Sequence, residues 1–193
     1  RDTDRSRGLG DVYKRQDRRK VTDMSFNIGD YVVYGGYEIC RIEEKVKRCF
    51  DGTTPREYYK LIPVYSKGST YYIPSDDYEE KIRRLLSKEE IYALIEEMPN
   101  AEAQWCEDRN QRKNQFISVL KSDNYHELIS MMRTIYVQRE EQVSKGKKLL
   151  AADEKAMREA ERLMHHEFAF VLGIDEEDIG KFIEDKISAK SAD

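Results

Sequence analysis

Between Phe26 and Pro74 the apolar positions come in short runs of β-branched and aromatic residues, each broken by turn-forming pairs. The segment IGDYVVYGGYEICRIEE carries Gly29-Asp30 and Gly35-Gly36. Asp51-Gly52 separates RIEEKVKRCF from EYYKLIPVY, and Lys67-Gly68 separates that run from STYYIP. Runs of this length with this punctuation predict four or five short strands, closing into a small, strongly bent sheet or barrel. The tyrosines of these runs fit half-buried strand positions, with the ring packed and the hydroxyl reaching water.

After Pro74 the period becomes helical. Ser87-Lys88-Glu89-Glu90 reads as a capping box in front of IYALIEEM, and Pro99 ends that helix. Gln104 to Lys121 predicts a second helix with Phe116, Ile117 and Leu120 on its apolar stripe. Asn124, with Glu127 at the third helical position, opens a third, buried through Leu128, Met131, Met132 and Ile135. The linker VSKGKKLL follows. Asp153 opens a fourth helix with Met157, Ala160, Leu163, Met164 and Phe168 on one side and Gly173 as its stop. A last helix, DEEDIGKFIEDKI, starts with acids at its positive dipole end. The expected class is α+β in two modules: a small, strongly bent sheet or barrel over 24–75, then a compact all-α domain over 76–193.

Charge alters this picture at the N-terminus. Residues 1–23 carry eight Lys/Arg against five Asp, with no apolar period, and a clean strand pattern begins directly after Met24. Met24 is the expected native start, and 1–23 a non-native or disordered leader. A basic nucleic-acid-binding arm is the competing reading, weakened by the interspersed Asp. The net charge of −4 does not advertise nucleic-acid binding, so such a role must rest on a local patch. No apolar run approaches a membrane span. The three cysteines, Cys40, Cys49 and Cys106, lack metal spacing and fit a reduced, cytoplasmic compartment.

Enzyme chemistry finds little purchase. There is no Walker loop and no G-x-G-x-x-G, and no serine or cysteine has a base beside it in sequence. His165 and His166 are adjacent, so on a helix they point to different faces and make no i, i+4 metal pair. No catalytic residue, metal or cofactor is expected. Trp105, the only tryptophan, is the better lead, because it stands in the polar stretch NAEAQWCEDRNQRKNQF. Most tryptophans are largely buried, so a core role stays open. If Trp105 begins a helix, Arg109, Arg112 and Lys113 follow at i+4, i+7 and i+8 on its face. Lys145, Lys147 and Lys148 form a second basic cluster ahead of the fourth helix. An aromatic wedge flanked by cations is how minor-groove binders meet DNA. Ordinary solvated surface competes with this, because residues 101–170 hold equal numbers of acids and bases.

In this order, FNIGDYVVYGGYEICRIEE, YYKLIPVYSKGSTYYIP, the tryptophan with Arg112 and LKSDNYHELISMMRTIY, and GKKLLAADEKAMREAERLMHHEFAFVLGI resemble the CarD/CdnL family of bacterial transcription regulators. The resemblance runs from Met24 to about Ile187. It implies that the β module is a small SH3/Tudor-like β-barrel similar to the polymerase-binding domain of transcription-repair coupling factor, docking on the β subunit of RNA polymerase through Lys45, Lys47, Arg48, Tyr71, Tyr72 and Pro74. It also implies a helical module that meets promoter DNA, with low sequence specificity, at the upstream edge of the melted bubble. Trp105 would be the wedge there, with Arg109, Arg112, Lys113, Lys147 and Lys148 on phosphates. The chain departs from the family where Cys106, Glu107 and Asp108 follow the tryptophan in place of arginines, and where Tyr72 replaces a strand arginine. A monomer associated with the nucleoid through polymerase is the corresponding expectation. The rivals are a protein-only adaptor, an elongation or RNA-binding factor of the NusG sort, and a metal enzyme built on His165 and His166.

Overall fold

The computed structural model describes residues 26–190 apart from 51, 53, 67, 79 and 80. The expectation for 1–23, and the turn residues Asp51 and Lys67, lie outside the described residues. Five strands form one antiparallel sheet: β1 (Tyr31–Tyr34), β2 (Glu38–Arg48), β3 (Arg56–Pro63), β4 (Tyr71–Pro74) and β5 (Ile82–Arg84). The order is β4-β3-β2-β1-β5. The β1–β2 hairpin turns on Gly35 and Gly36 at φ 59° and 103°, a region that glycine enters without a Cβ clash.

Two expectations change here. Among the described residues no pairing joins β4 to β5, so the strands form a sheet with two edges, and a closed barrel is not seen. The sheet also runs past the boundary expected at 75, because β5 pairs with β1 from Val32↔Arg84 to Tyr34↔Ile82. Ile82 is the only apolar residue of β5, so a strand this short shows no period.

A bulge between Ile42 and Glu44 reverses which β2 residues face each side. Val32, Cys40, Ile42, Tyr59, Leu61, Ile73 and Ile82 make the sheet's own core, closed by Phe26. Burial pushes the Cys40 thiol up to about 12, so it is an inert core group. On the opposite face, Val33 and Ile39 pair and are fully buried.

Five α-helices follow: α1 (Lys88–Glu97), α2 (Arg109–Val119), α3 (Tyr125–Ser144), α4 (Ala151–Leu172) and α5 (Glu176–Lys190). A 3-10 turn, Met98–Asn100, carries Pro99 past the end of α1. The expected caps at Asn124 and Gly173 form, whereas α4 starts at Ala151, ahead of the expected Asp153. Asn124 accepts from the N–H groups of His126 and Glu127, and Gly173 stops α4 at φ 69°. The shared core takes Ile91, Leu94, Ile95, Phe116, Leu128, Met131, Ile135, Met157, Ala160, Met164 and Phe168, plus Tyr37 from the β1–β2 turn. Of the expected stripe residues, Leu120, Met132 and Leu163 are only half-buried, and Ile117 is exposed.

Ser87 and Glu90 close the capping box of α1, and Arg84 holds the Glu90 carboxylate down to about 2. Ser87→Ala is expected to cost about 0.5–2 kcal/mol in denaturant unfolding. Because the folded pKa of Glu90 lies below its unfolded value near 4.3, its contribution is complete above that value. It fades as pH falls towards 2. Acid titration of Glu90→Gln should therefore show a shallower loss of stability between about pH 4.5 and 2 than the parent. Identical slopes would mean that the pair contributes nothing.

Candidate functional site

Trp105 does not begin a helix. Asp108 is the N-cap of α2, its carboxylate accepting from the Gln111 N–H at 2.7 Å, and residues 101–107 before it form neither helix nor strand. The Gln104 N–H donates to Thr134 Oγ1 at 3.1 Å, pinning this segment to α3. Asp108-Arg109-Asn110-Gln111 has the capping-box spacing, with Asp in place of Ser or Thr, and would have marked this start. Trp105 is half-buried, packed against the helical core.

Arg112 sits with its guanidinium carbon 4.1 Å from the centre of the indole. It is 3% exposed, in place of the surface cation expected from the sequence. Its Nε and Nη2 donate to both oxygens of Asp153 at 3.1 and 3.0 Å, and its Nη1 donates to the Cys106 carbonyl at 2.6 Å. Asp153 is itself buried in the first turn of α4, with α4 starting at Ala151 ahead of it. With its donors spent inside the protein, Arg112 braces the indole and is withdrawn from the set open to phosphate. The reason is tertiary: a buried guanidinium needs a carboxylate, and α4 supplies one.

The Arg112–Asp153 pair clamps the first turns of α2 and α4 together. The loops before those helices, with Trp105 in one and Lys147 and Lys148 in the other, therefore share one end of the helical module. Arg109 and Lys113 are exposed, one turn apart on α2, and Lys147 and Lys148 are exposed. Lys145 bonds Glu141 at 2.6 Å.

The residues proposed for polymerase do not share one surface. Lys45 pairs across the strands with Tyr59, Lys47 with Glu57 and Tyr71 with Leu61, so all three lie on the side of the sheet's own core. Lys45 lies over the Tyr59 ring, and the Tyr71 hydroxyl donates to Glu38 at 2.8 Å. Arg48, Tyr72 and Pro74 lie on the opposite face. There Phe50, 60% exposed, meets Tyr58 and Tyr72 at centroid distances of 4.9 and 5.2 Å. Phe50 and Tyr58 were not singled out from the sequence. Tyr58 shares a strand face with Lys60 and Ile62, a period-2 signal, but Phe50 joins it only through the fold. At the other end of this face, Tyr31 lies on Phe170 of α4 at 4.8 Å. The helices thus cover one end of the face and leave the aromatic end open.

His165 and His166 are both partly buried on α4. His166 stacks on Tyr65 at 4.6 Å and meets Glu176 at 3.0 Å. Burial lowers the pKa of both imidazoles. Among the described residues no group of three or more His, Cys, Asp or Glu is placed to hold a metal ion.

With the sheet, its edge strand β5 and the open aromatic end established, comparison with known families is decisive for this part of the chain. Residues 26–86 match the model of the CarD-like/TRCF RID domain family. The match spans all five strands and ends just before α1. RID domains are RNA polymerase-interacting, non-catalytic protein-interaction domains, and the match supports a transcription-related role for this part of the chain. No curated protein matches the chain.

Proposed function

We propose that this protein docks on the β subunit of RNA polymerase through its RID domain and favours the open promoter complex by setting Trp105 into the minor groove at the upstream edge of the bubble. The supporting observation is the braced indole. Arg112 fixes one side of Trp105 at 4.1 Å, Asp153 fixes Arg112, and Arg109, Lys113, Lys147 and Lys148 are exposed on α2 and in the loop before α4. A side chain already held in place loses little freedom on binding, so more of its contact energy is retained. Stacking on an aromatic contributes about 1–3 kcal/mol per base, and about 1.4 kcal/mol shifts an equilibrium tenfold. One indole is therefore large enough to move the balance of open over closed complex.

Tethering through the RID domain raises the local concentration of the helical module at the promoter, so weak DNA contact suffices despite the net charge of −4. Arg109, Lys113, Lys147 and Lys148 supply phosphate contacts, and sequence specificity is low because a wedge reads width and deformability. The protein acts without catalysis or cofactor, in the cytoplasm, as a monomer. Among the described residues no helix is long and apolar enough to cross a membrane. On the polymerase side, the open aromatic end of the sheet, Phe50 with Tyr58 and Tyr72, joins Arg48 and Pro74 as the docking surface.

The test is open-complex formation by bacterial RNA polymerase on a promoter with a fluorescent base at the upstream bubble edge. The protein should raise the signal. Trp105→Ala should lose that gain while binding polymerase as before. Equal action of the two proteins would remove the wedge and favour the adaptor, in which the half-buried Trp105 is a protein contact. Phe50→Ala should do the converse, weakening polymerase binding by about tenfold or more, as loss of an aromatic anchor does. Unchanged affinity would move the docking surface elsewhere on the sheet.

A further inference from the structure

Two arginine clamps stand at opposite ends of the same pair of helices. At one end Arg112 of α2 grips Asp153 of α4. At the other, Arg83 of β5 grips Glu167 of α4 through Nη1 and Nη2 at 3.0 and 2.9 Å. The same guanidinium holds Asp123, in the turn that leaves α2, with its Nε 2.8 Å from both carboxylate oxygens. Glu167 is fully buried, and it also accepts from the Tyr125 hydroxyl and the Leu86 N–H, both at 2.7 Å. Asp123 is the only non-glycine residue with positive φ among the described residues, at 53°. That conformation costs a side-chain-bearing residue energy, and here it delivers the carboxylate to the sheet's arginine.

These contacts close a circuit: β5, Arg83, Glu167, α4, Asp153, Arg112, α2, Asp123 and back to Arg83. Asp153 and Glu167 are separated along one unbroken helix by about 21 Å at 1.5 Å per residue. Both helices are thus fixed to each other at two points, and one of those points belongs to the RID domain. A single apolar contact between modules would permit rocking. The bidentate Arg83–Glu167 pair resists it at the sheet end, and the buried bidentate Arg112–Asp153 pair carries the constraint between α4 and α2 to the Trp105 end.

We propose that this frame is a positioning device, with Arg83, Glu167 and Asp123 as positioning residues that hold Trp105 at a set distance and angle from the polymerase-docking face. It rests on the function proposed above, and it assigns a role to groups remote from both surfaces. Polymerase fixes the sheet, the frame transmits that position through α4, and the wedge arrives at one place on the promoter. Loosening the sheet end should therefore separate the two halves of the activity: docking persists and opening is lost.

Spin-label distance measurement tests the frame without polymerase. Glu57→Cys on β3 and Glu102→Cys near Trp105 carry the labels, with Cys49→Ser and Cys106→Ser removing the accessible thiols. The parent should give one narrow distance distribution, and Glu167→Gln a clearly broader one, with far-ultraviolet circular dichroism unchanged. A broad parent distribution overturns the proposal, whatever any variant does. So does a Glu167→Gln distribution as narrow as the parent's. In the promoter assay, unlabelled Glu167→Gln should keep parental polymerase affinity and lose most of the gain in signal. Full gain with a broadened distribution would overturn the positioning role. If Trp105→Ala acts like the parent, the wedge fails, while the distance arm still decides whether the frame is rigid.

Discussion

Arg112→Ala lowers the unfolding free energy by about 3–5 kcal/mol, the range found when one partner of a buried ion pair is removed. The size follows from what is left behind. Asp153 is 4% exposed and loses both donors of its bidentate pair, and the Cys106 carbonyl loses its 2.6 Å partner. A domain is stable by only about 5–15 kcal/mol, so this one change consumes a large share. Because Trp105 is the only tryptophan, its fluorescence reports the same event locally. Removing the guanidinium at 4.1 Å should shift the emission to longer wavelength and raise quenching by acrylamide. Arg112→Lys keeps the charge and loses the planar fork, so it should fall between the two proteins. The joint replacement Arg112→Met with Asp153→Leu should recover much of the stability, since no buried charge is left alone. If Arg112→Ala unfolds within 1 kcal/mol of the parent, the pair is not the buried brace that the geometry describes.

Glu167→Ala is expected to cost as much, about 3–5 kcal/mol in equilibrium unfolding. The Glu167 carboxylate is the acceptor for four donors: two on Arg83, the Tyr125 hydroxyl and the Leu86 N–H. Burial, then the charge of Glu167, raises the Tyr125 phenol well above its ordinary value, so it stays a donor throughout the working range. Burial alone would lower the Arg83 pKa, but the bonds and charge of Glu167 and Asp123 outweigh it and raise it, so Arg83 stays charged. Truncation leaves that charge with Asp123 alone, and burial pushes the Asp123 carboxyl up against the pull of Arg83. Glu167→Gln keeps the shape and one acceptor oxygen, so it should cost less than Ala. Equal stability of Glu167→Ala and the parent would show that water replaces the network without cost.

Much of the local structure was legible in residue spacing. Ser87 to Glu90 announced α1, Asn124 announced α3 and Gly173 stopped α4, because caps act within one turn of their own residue. The Gly35-Gly36 turn was legible for the same reason. The start of α2 was legible too, in Asp108 and Gln111, but was overridden by the helical period read through Trp105. β5 was illegible: three residues with one apolar position acquire strand character only by pairing with β1.

The candidate sites divide along the same line. The sequence by itself determined that the chain is strands followed by helices, that Trp105 stands in a polar neighbourhood, and that cations follow it. Only the tertiary structure decided what those groups do. Arg112 became a brace because α4 carries Asp153 alongside it, and Arg83 became a clamp because Asp123 and Glu167 converge on it from distant parts of the chain. Phe50 joined Tyr58 and Tyr72 through the packing of the sheet's open face. Backbone torsions and caps are set within a few residues. The partner of a charge or a ring is set by which elements the core brings side by side, and that is a property of the folded chain.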